Sequence, residues 1–150
     1  NRYNECYFDI DKSFMPDFSL EVVFIALSLM IAIFVMIEST LLERNGGKLL
    51  LKNSIFMFIS LSTSAWMVAA CLAWYFLDLV GLGLVVAMVY PLYGLLGLAY
   101  SAMLMRGIEV DDPAEVALPK KYLSFCKSFG LVYSILCLTA LLESVGLIQI

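Results

Sequence analysis

Four long apolar segments constrain this chain more than any other feature of its sequence. They cover residues 19–42, 54–77, 79–105 and 124–148. Each is long enough to cross the roughly 30 Å hydrocarbon core of a bilayer, which takes about 20 residues of α-helix. A membrane β-barrel would instead show alternating segments of about 10 residues. The sequence therefore predicts an all-α integral membrane protein in which four transmembrane helices form one domain.

The composition of the chain supports lipid as its main solvent. Hydrophobic residues make up 63% of the sequence and charged residues 15%, against about 45–50% and about 25% in soluble domains. A soluble fold of this length has too little interior to bury so much apolar surface, so lipid must cover most of it. The small net charge of −4 gives no indication of nucleic acid binding.

Two connections between the segments carry local structural signals. Only Asp78 separates the second segment from the third, which predicts a tight antiparallel hairpin; a single bent segment that never fully crosses is the alternative. The sequence DPAE at 112–115 supplies a helix cap, a proline at the first helical position and a capping-box glutamate. It predicts a short interfacial helix near 113–118, which Pro119 ends.

Basic residues fall mainly on one side of the predicted membrane. If all four segments span, the loops 43–53 and 106–123 and the start of the fourth segment hold seven basic residues, against two on the other side. The positive-inside rule places these loops in the cytoplasm, or in the matrix or stroma of an organelle, and both termini on the opposite side. The seven residues are Arg44, Lys48, Lys52, Arg106, Lys120, Lys121 and Lys127.

The N-terminal segment, residues 1–18, mixes acidic and aromatic side chains. One interpretation is an extramembrane strip whose rings lie at headgroup depth. The other is an extended arm that binds a partner subunit. The aromatic residues are Tyr3, Tyr7, Phe8, Phe14 and Phe18, and the acidic ones are Glu5, Asp9, Asp11 and Asp17.

Small residues at helical spacing predict where the helices pack, since small side chains let helix backbones approach in lipid. They form stripes on the second, third and fourth segments, whereas the first segment has only Ser28 and Ala32 among large apolar residues. We therefore expect a core of helices two to four, a peripheral helix one, and a kink at Pro91. The predicted packing residues are Ala65, Ala69, Ala73, Gly94, Gly97, Ser101, Gly130 and Ser134.

The sequence contains no catalytic constellation, and neither a metal nor a cofactor is predicted. It has no histidine, which removes the usual base for nucleophilic catalysis and a common ligand for zinc and haem. Its four cysteines, Cys6, Cys71, Cys126 and Cys137, form no CxxC motif, and only Cys6 is placed to pair with another chain. Contact with a lipid, quinone or pigment stays open, on the aromatic residues Trp66, Trp74, Tyr75, Phe76, Tyr90, Tyr93 and Tyr100.

Two carboxylates fall inside the predicted spans, and such residues are functional candidates because they are costly in lipid. Glu38 lies near the inner end of the first segment and Glu143 near the outer end of the fourth. They should therefore lie near opposite faces of the membrane, each shallow enough to reach the headgroups or a lysine. A role in ion or proton coupling is the sharper interpretation of both.

Three functions of different classes follow. The leading one is a non-catalytic accessory subunit of a larger membrane complex, which docks through helix one and residues 1–18. The alternative is a small ion- or proton-coupled transporter or channel-forming oligomer that uses Glu38 or Glu143. The third is a lipid-modifying enzyme with a divalent cation at the inner loop, held by Glu109, Asp111, Asp112 and Glu115.

Overall fold

The computed structural model of this protein describes residues 20–50, 52–104, 106 and 117–148. They form four α-helices: α1 (Leu20–Arg44), α2 (Ser54–Phe76), α3 (Gly81–Leu104) and α4 (Lys120–Ser144). All four are long and apolar enough to cross a membrane, as in a multi-pass membrane protein. The predicted all-α fold with four such helices is confirmed at this level.

Several sequence predictions fall outside the described residues. These are the N-terminal segment 1–18 with Cys6, the acidic loop at 109–115, and the interfacial helix apart from its last two positions. Of that helix the structure describes Ala117 and Leu118, and neither is helical, because Ala117 forms a β-bridge with Lys48. The predicted end of the helix at 118 is therefore wrong.

Glycines end both the first and the last helix. Gly46 and Gly146 have φ angles of 67° and 75°, in the left-handed region that other residues rarely adopt. At each end the next N–H returns to a carbonyl five residues back, from Gly47 to Leu42 and from Leu147 to Leu142, which is the Schellman arrangement. α4 therefore ends at Ser144 rather than 148, and it begins at Lys120 rather than 124 because apolar character does not mark where a helix starts.

The four helices contact each other in a ring. α1 packs most extensively against α4, α2 packs against α1 and α3, and α3 packs against α4. α1 also approaches α3 at a few positions, whereas the backbones of α2 and α4 stay apart. The α1 and α3 N-termini lie together at one end, where Glu21 touches Gly83. The other end carries Arg44 and Lys120 and is called the basic end below.

The prediction that helix one is peripheral is wrong. α1 holds eight buried residues, more than any other helix, and α2 is the least covered by the rest of the protein. The physical reason lies on α4: a Cβ on Gly130 would be only 2.7 Å from Met36 Cγ and 3.2 Å from the Ala32 carbonyl oxygen. A close helix contact needs small residues at few positions, and Gly130 supplies one against the larger side chains of α1.

Tyrosine side chains cross-link the helices in the interior. The Tyr90 hydroxyl donates to the Thr63 carbonyl of α2 over 2.9 Å, and the Tyr133 hydroxyl donates to the Val86 carbonyl of α3 over 3.1 Å. Both tyrosines are buried. α3 continues unbroken through Pro91, and the kink expected there stays a prediction.

A second apolar cluster closes the basic end. Leu42, Phe56 and Leu123 are its buried members, one each from α1, α2 and α4, and Leu41, Leu50, Leu118 and Tyr122 pack against them. The loop after α1 is joined to this cluster because the Leu118 N–H donates to the Gly47 carbonyl over 2.9 Å.

Candidate functional site

A cavity of about 320 Å³ lies inside the ring of helices, in the half nearer the basic end. It forms where α2 and α4 stay apart across the ring and where Gly94 and Gly97 of α3 supply no side chain. All four helices contribute to its wall. The other lining residues are Val35, Glu38, Ser39, Leu42, Leu49, Thr63, Ser64, Met67, Tyr90, Tyr93, Leu98, Leu118, Tyr122, Leu123 and Cys126.

Glu38 is the one charged side chain among these lining residues. It is half-buried, six residues before the end of α1, and therefore about 9 Å along the helix from Arg44. Its Oε2 accepts a hydrogen bond from Thr63 Oγ1 over 3.0 Å. Instead of extending toward headgroups or a lysine, which the sequence left open, the carboxylate contacts the neighbouring helix.

Glu38 has no basic partner in the described part of the chain. There the one ion pair joins Lys127 Nζ to Glu43 Oε2, at 3.4 Å and with both side chains about half exposed. A single hydroxyl donor leaves most of the acceptor capacity of a carboxylate unused, since its two oxygens offer about four lone-pair sites. The Glu38 side chain thus has room for a further donor in a partly open cavity whose other lining side chains are uncharged.

Aromatic rings and a thiol form the α3 and α4 side of the cavity. The Tyr93 ring stacks on Phe129 of α4, with ring centroids 3.6 Å apart and planes within 2°. Tyr122 and Cys126 of α4 line the same side. The stacking therefore packs the Tyr93 ring of the cavity wall against α4.

This combination of groups suits a small organic cation. A carboxylate supplies the counter-charge, and the faces of tyrosine rings attract cations through their quadrupoles. The volume falls at the lower end of the range of about 300–1,000 Å³ that is usual for small-molecule sites. A proton on Glu38 is the simplest occupant that neutralises the same group.

Glu143 lies at the opposite end of the bundle and is not brought together with Glu38. A Cβ on Gly81 would lie 3.7 Å from Glu143 Oε1, and Glu21 contacts Gly83 two residues further along. Both carboxylates therefore flank the first turn of α3. Free N–H groups and the helix dipole make that position favourable for negative charge, so Glu143 has a structural explanation.

The predicted packing residues are distributed between the core, the cavity and the surface. Gly130 touches α1, Gly94 contacts the Met67 sulfur, and Gly97 lies near the Tyr122 hydroxyl. Ala73, Gly97 and Gly130 are buried, Ala69, Gly94, Ser101 and Ser134 are half-buried, and Ala65 is exposed.

Sequence reasoning missed Thr63, Tyr122 and Cys126 as members of one site with Glu38. A usable signal existed. Residues of two neighbouring antiparallel helices lie at a similar depth when they are equally far from the same end of the bundle. Thr63 lies nine residues into α2 from the basic end and Glu38 lies six residues into α1 from the same end. Matching the polar residues of adjacent helices by depth would have paired them.

The remaining candidate chemistry is not assembled in the described residues. Cys71 is exposed, Cys126 and Cys137 are buried, and all three are free thiols. Among the residues that the structure describes, no three side chains of the metal-binding types are grouped.

Comparison with known proteins yields no relative. The chain matches no protein-family model, no curated protein and no solved structure. Its function is therefore argued from the side chains of this chain alone.

Proposed function

We propose that this chain is a small ion- or proton-coupled membrane transporter that binds an organic cation at Glu38. The observation that supports the proposal is the Glu38 carboxylate, which lines a cavity within the helix ring and bonds Thr63 over 3.0 Å. In this proposal the protein is not an enzyme, and Glu143 has no transport role.

The energetic argument starts from the cost of a charge inside the membrane. Placing an ionised side chain such as aspartate at the centre of a membrane helix costs about 2.5–3.5 kcal/mol on insertion scales. A hydrogen bond to a charged group contributes about 1.5–3 kcal/mol, so Thr63 offsets much of the cost for an ionised Glu38. A proton or a bound cation can neutralise the rest.

Coupling follows from the competition between these two occupants. A proton on Glu38 removes the charge that attracts a cation, and a cation beside Glu38 favours the ionised form. Binding of the cation to protonated Glu38 therefore releases a proton, and the exchange of the two is the elementary step of proton-coupled transport. Tyr90 and Tyr93 line the same cavity and supply the aromatic groups near the cation in this proposal.

We further propose that the basic end faces the cytoplasm, or the matrix or stroma. Seven basic residues lie at or near that end, and the positive-inside rule favours this orientation. The α2–α3 connection is then a tight hairpin turn on the other side, together with both termini.

The accessory-subunit function is our second proposal, and it rests on a different surface. With α1 packed into the bundle, only its outer stripe is free to contact other membrane subunits. Val23, Leu27, Met30 and Ile37 on that stripe are each about 40% exposed. Native electrophoresis in mild detergent tests it: a larger assembly supports the proposal, and a lone monomer contradicts it.

The Glu38 proposal is tested by cation binding in detergent micelles, measured by calorimetry. The probe is benzyltrimethylammonium, which carries a permanent positive charge, and its neutral carbon analogue neopentylbenzene serves for comparison. We expect wild-type protein to bind the cation with release of protons. Glu38→Gln should weaken binding at least tenfold, or about 1.4 kcal/mol, without affecting the neutral analogue.

The matched control is Glu43→Gln, on the same helix. Glu43 is exposed and pairs only with Lys127 at the surface, so its neutralisation should leave cation affinity unchanged. In proteoliposomes, Glu38→Gln should also abolish cation-driven proton movement. A Glu38→Gln protein that binds the cation as tightly as wild-type would overturn the proposed function.

A further inference from the structure

The cavity is closed toward the basic end by apolar side chains. Leu42, Phe56 and Leu123 meet there and are at most 6% exposed. Leu50 and Leu118 cover them, and Leu118 is fixed by its backbone bond to Gly47. Leu49 also lines the cavity at this end and is 41% exposed, so within the described residues a polar solute arriving from the water would meet only apolar side chains on its way to Glu38.

The side of the cavity between α2 and α3 is different. Two of its lining residues, Ser64 of α2 and Leu98 of α3, are exposed on the outside of the bundle. Leu98 lies one turn closer to the basic end than Gly94, where Met67 of α2 contacts α3. A lateral window therefore lies between Ser64 and Leu98, below the Met67–Gly94 contact.

The window opens at a depth that lipid chains would occupy. Leu98 is six residues from the end of α3, and Ser64 is ten residues from the start of α2, so they lie about 9 and 15 Å inside the basic end. The neighbouring outward side chains are apolar, with Leu61 71% and Leu95 62% exposed. The rim therefore faces hydrocarbon rather than water.

We infer that the ligand enters from the bilayer through this window and is a membrane-soluble amine, an ammonium group on an apolar chain. The inference rests on the proposed function of Glu38. The ammonium group passes between Ser64 and Leu98, crosses the floor formed by Gly94 and Gly97, and pairs with Glu38. The apolar chain stays in the window and in the lipid outside it.

This ligand class explains why a cavity of about 320 Å³ is sufficient. Only the ammonium head and its first carbons have to fit inside, because the rest of the chain never leaves the bilayer. The amine can be a free single-chain amine or the ammonium headgroup of a lipid, since both present the same group at the same depth.

The route is tested by binding kinetics in vesicles of phosphatidylcholine and phosphatidylglycerol. The probe is a decylammonium with a dansyl group at the far end of its chain, followed by energy transfer from tryptophan. Leu98→Trp fills the window, and Leu95→Trp is its matched control, because the two leucines are 63% and 62% exposed on the same helix. We expect Leu98→Trp to slow association at least tenfold relative to Leu95→Trp.

The possible results separate the route from the proposed function. If Glu38→Gln abolishes equilibrium binding but Leu98→Trp and Leu95→Trp associate equally fast, the lateral route is wrong and the Glu38 site stands. If Glu38→Gln binds the probe normally, the proposed function itself fails. Ser64→Trp narrows the window from α2 and should reproduce the slowed association, which covers the case in which Leu98→Trp does not fold.

Two further arms test the ligand class. The dissociation constants of hexyl- and dodecylammonium should lie within about twofold of each other when both are expressed as concentrations in the bilayer. A large loss of affinity for the longer chain would overturn the inference, because the tail would then have to fit inside the cavity. Adding phosphatidylethanolamine to the vesicles distinguishes the sources: competition assigns the site to a lipid headgroup, and none assigns it to a free amine.

Discussion

Replacement of Gly130 by alanine should weaken the contact between α1 and α4, because the new methyl group has no room. A Cβ at this position would lie 2.7 Å from Met36 Cγ, 3.2 Å from the Ala32 carbonyl oxygen and 3.4 Å from the Met36 backbone nitrogen. The Met36 side chain can rotate away from the methyl group. The α1 backbone can yield only if the whole helix moves.

The expected cost follows from these distances. Atoms in favourable contact lie about 3.5–4.0 Å apart, so α1 and α4 must separate by several tenths of an ångström. One extra methyl group in a packed interior costs about 1–3 kcal/mol, and alanine regains about 0.8–1 kcal/mol over glycine in a helix. We expect Gly130→Ala to lower the free energy of unfolding by up to about 2 kcal/mol.

Gly97→Ala is the matched control for this measurement. A Cβ on Gly97 would meet only the Tyr122 hydroxyl oxygen, at an ordinary 3.6 Å, so alanine should raise the free energy of unfolding by up to about 1 kcal/mol. Both variants are unfolded by titrating sodium dodecyl sulfate into mixed micelles, followed by circular dichroism. Stabilisation of Gly130→Ala to the same extent as Gly97→Ala would refute the argument that space at Gly130 limits the α1–α4 contact.

Two further substitutions and one control variant test other contacts. Gly47→Ala should release the loop after α1 and speed its proteolysis at least tenfold, because a Cβ on Gly47 would collide with the Leu118 carbonyl. Gly46→Ala is the control, because a Cβ there has open space and adds only the strain of its φ of 67°, about 1–2 kcal/mol. Equal rates of cleavage of the two variants would contradict this explanation. Tyr133→Phe removes the donor to the Val86 carbonyl and should lower the free energy of unfolding by about 1 kcal/mol in the same titration. An unchanged stability would show that this hydrogen bond contributes nothing.

The sequence was sufficient for the helices because length and hydropathy are local properties. All four segments overlap the observed helices, and the errors lie at the ends of α4, where Lys120 begins the helix and Gly146 ends it. The partners of each helix were not predictable in this way. The stripes of small residues were expected to join helices two to four, but Gly130 faces α1 instead.

The sequence predicted Glu38 of the candidate site but not the side chains around it, because helix partners were not predictable. Glu38 stands out in the sequence because a carboxylate in an apolar segment is costly. Thr63, Tyr122 and Cys126 do not, because polar or sulfur-containing side chains of their size are common in such helices. They become a site only when the ring of helices brings them to one cavity, and that depends on long-range packing.

The extensive α1–α4 contact has a consequence for how the protein is made. The two helices that form this contact are the first and the last of the chain, and residues 45–119 separate them. At about 5–20 residues per second, synthesis of that stretch takes roughly 4–15 s, and for this time α1 lacks its main partner. α2 and α3 follow each other closely and can pair early, whereas Ala32 and Met36 of α1 must wait for Gly130 of α4. Insertion of α4 is therefore the event that completes the bundle, and a ribosome stalled before Lys120 would leave α1 as a substrate for membrane quality control.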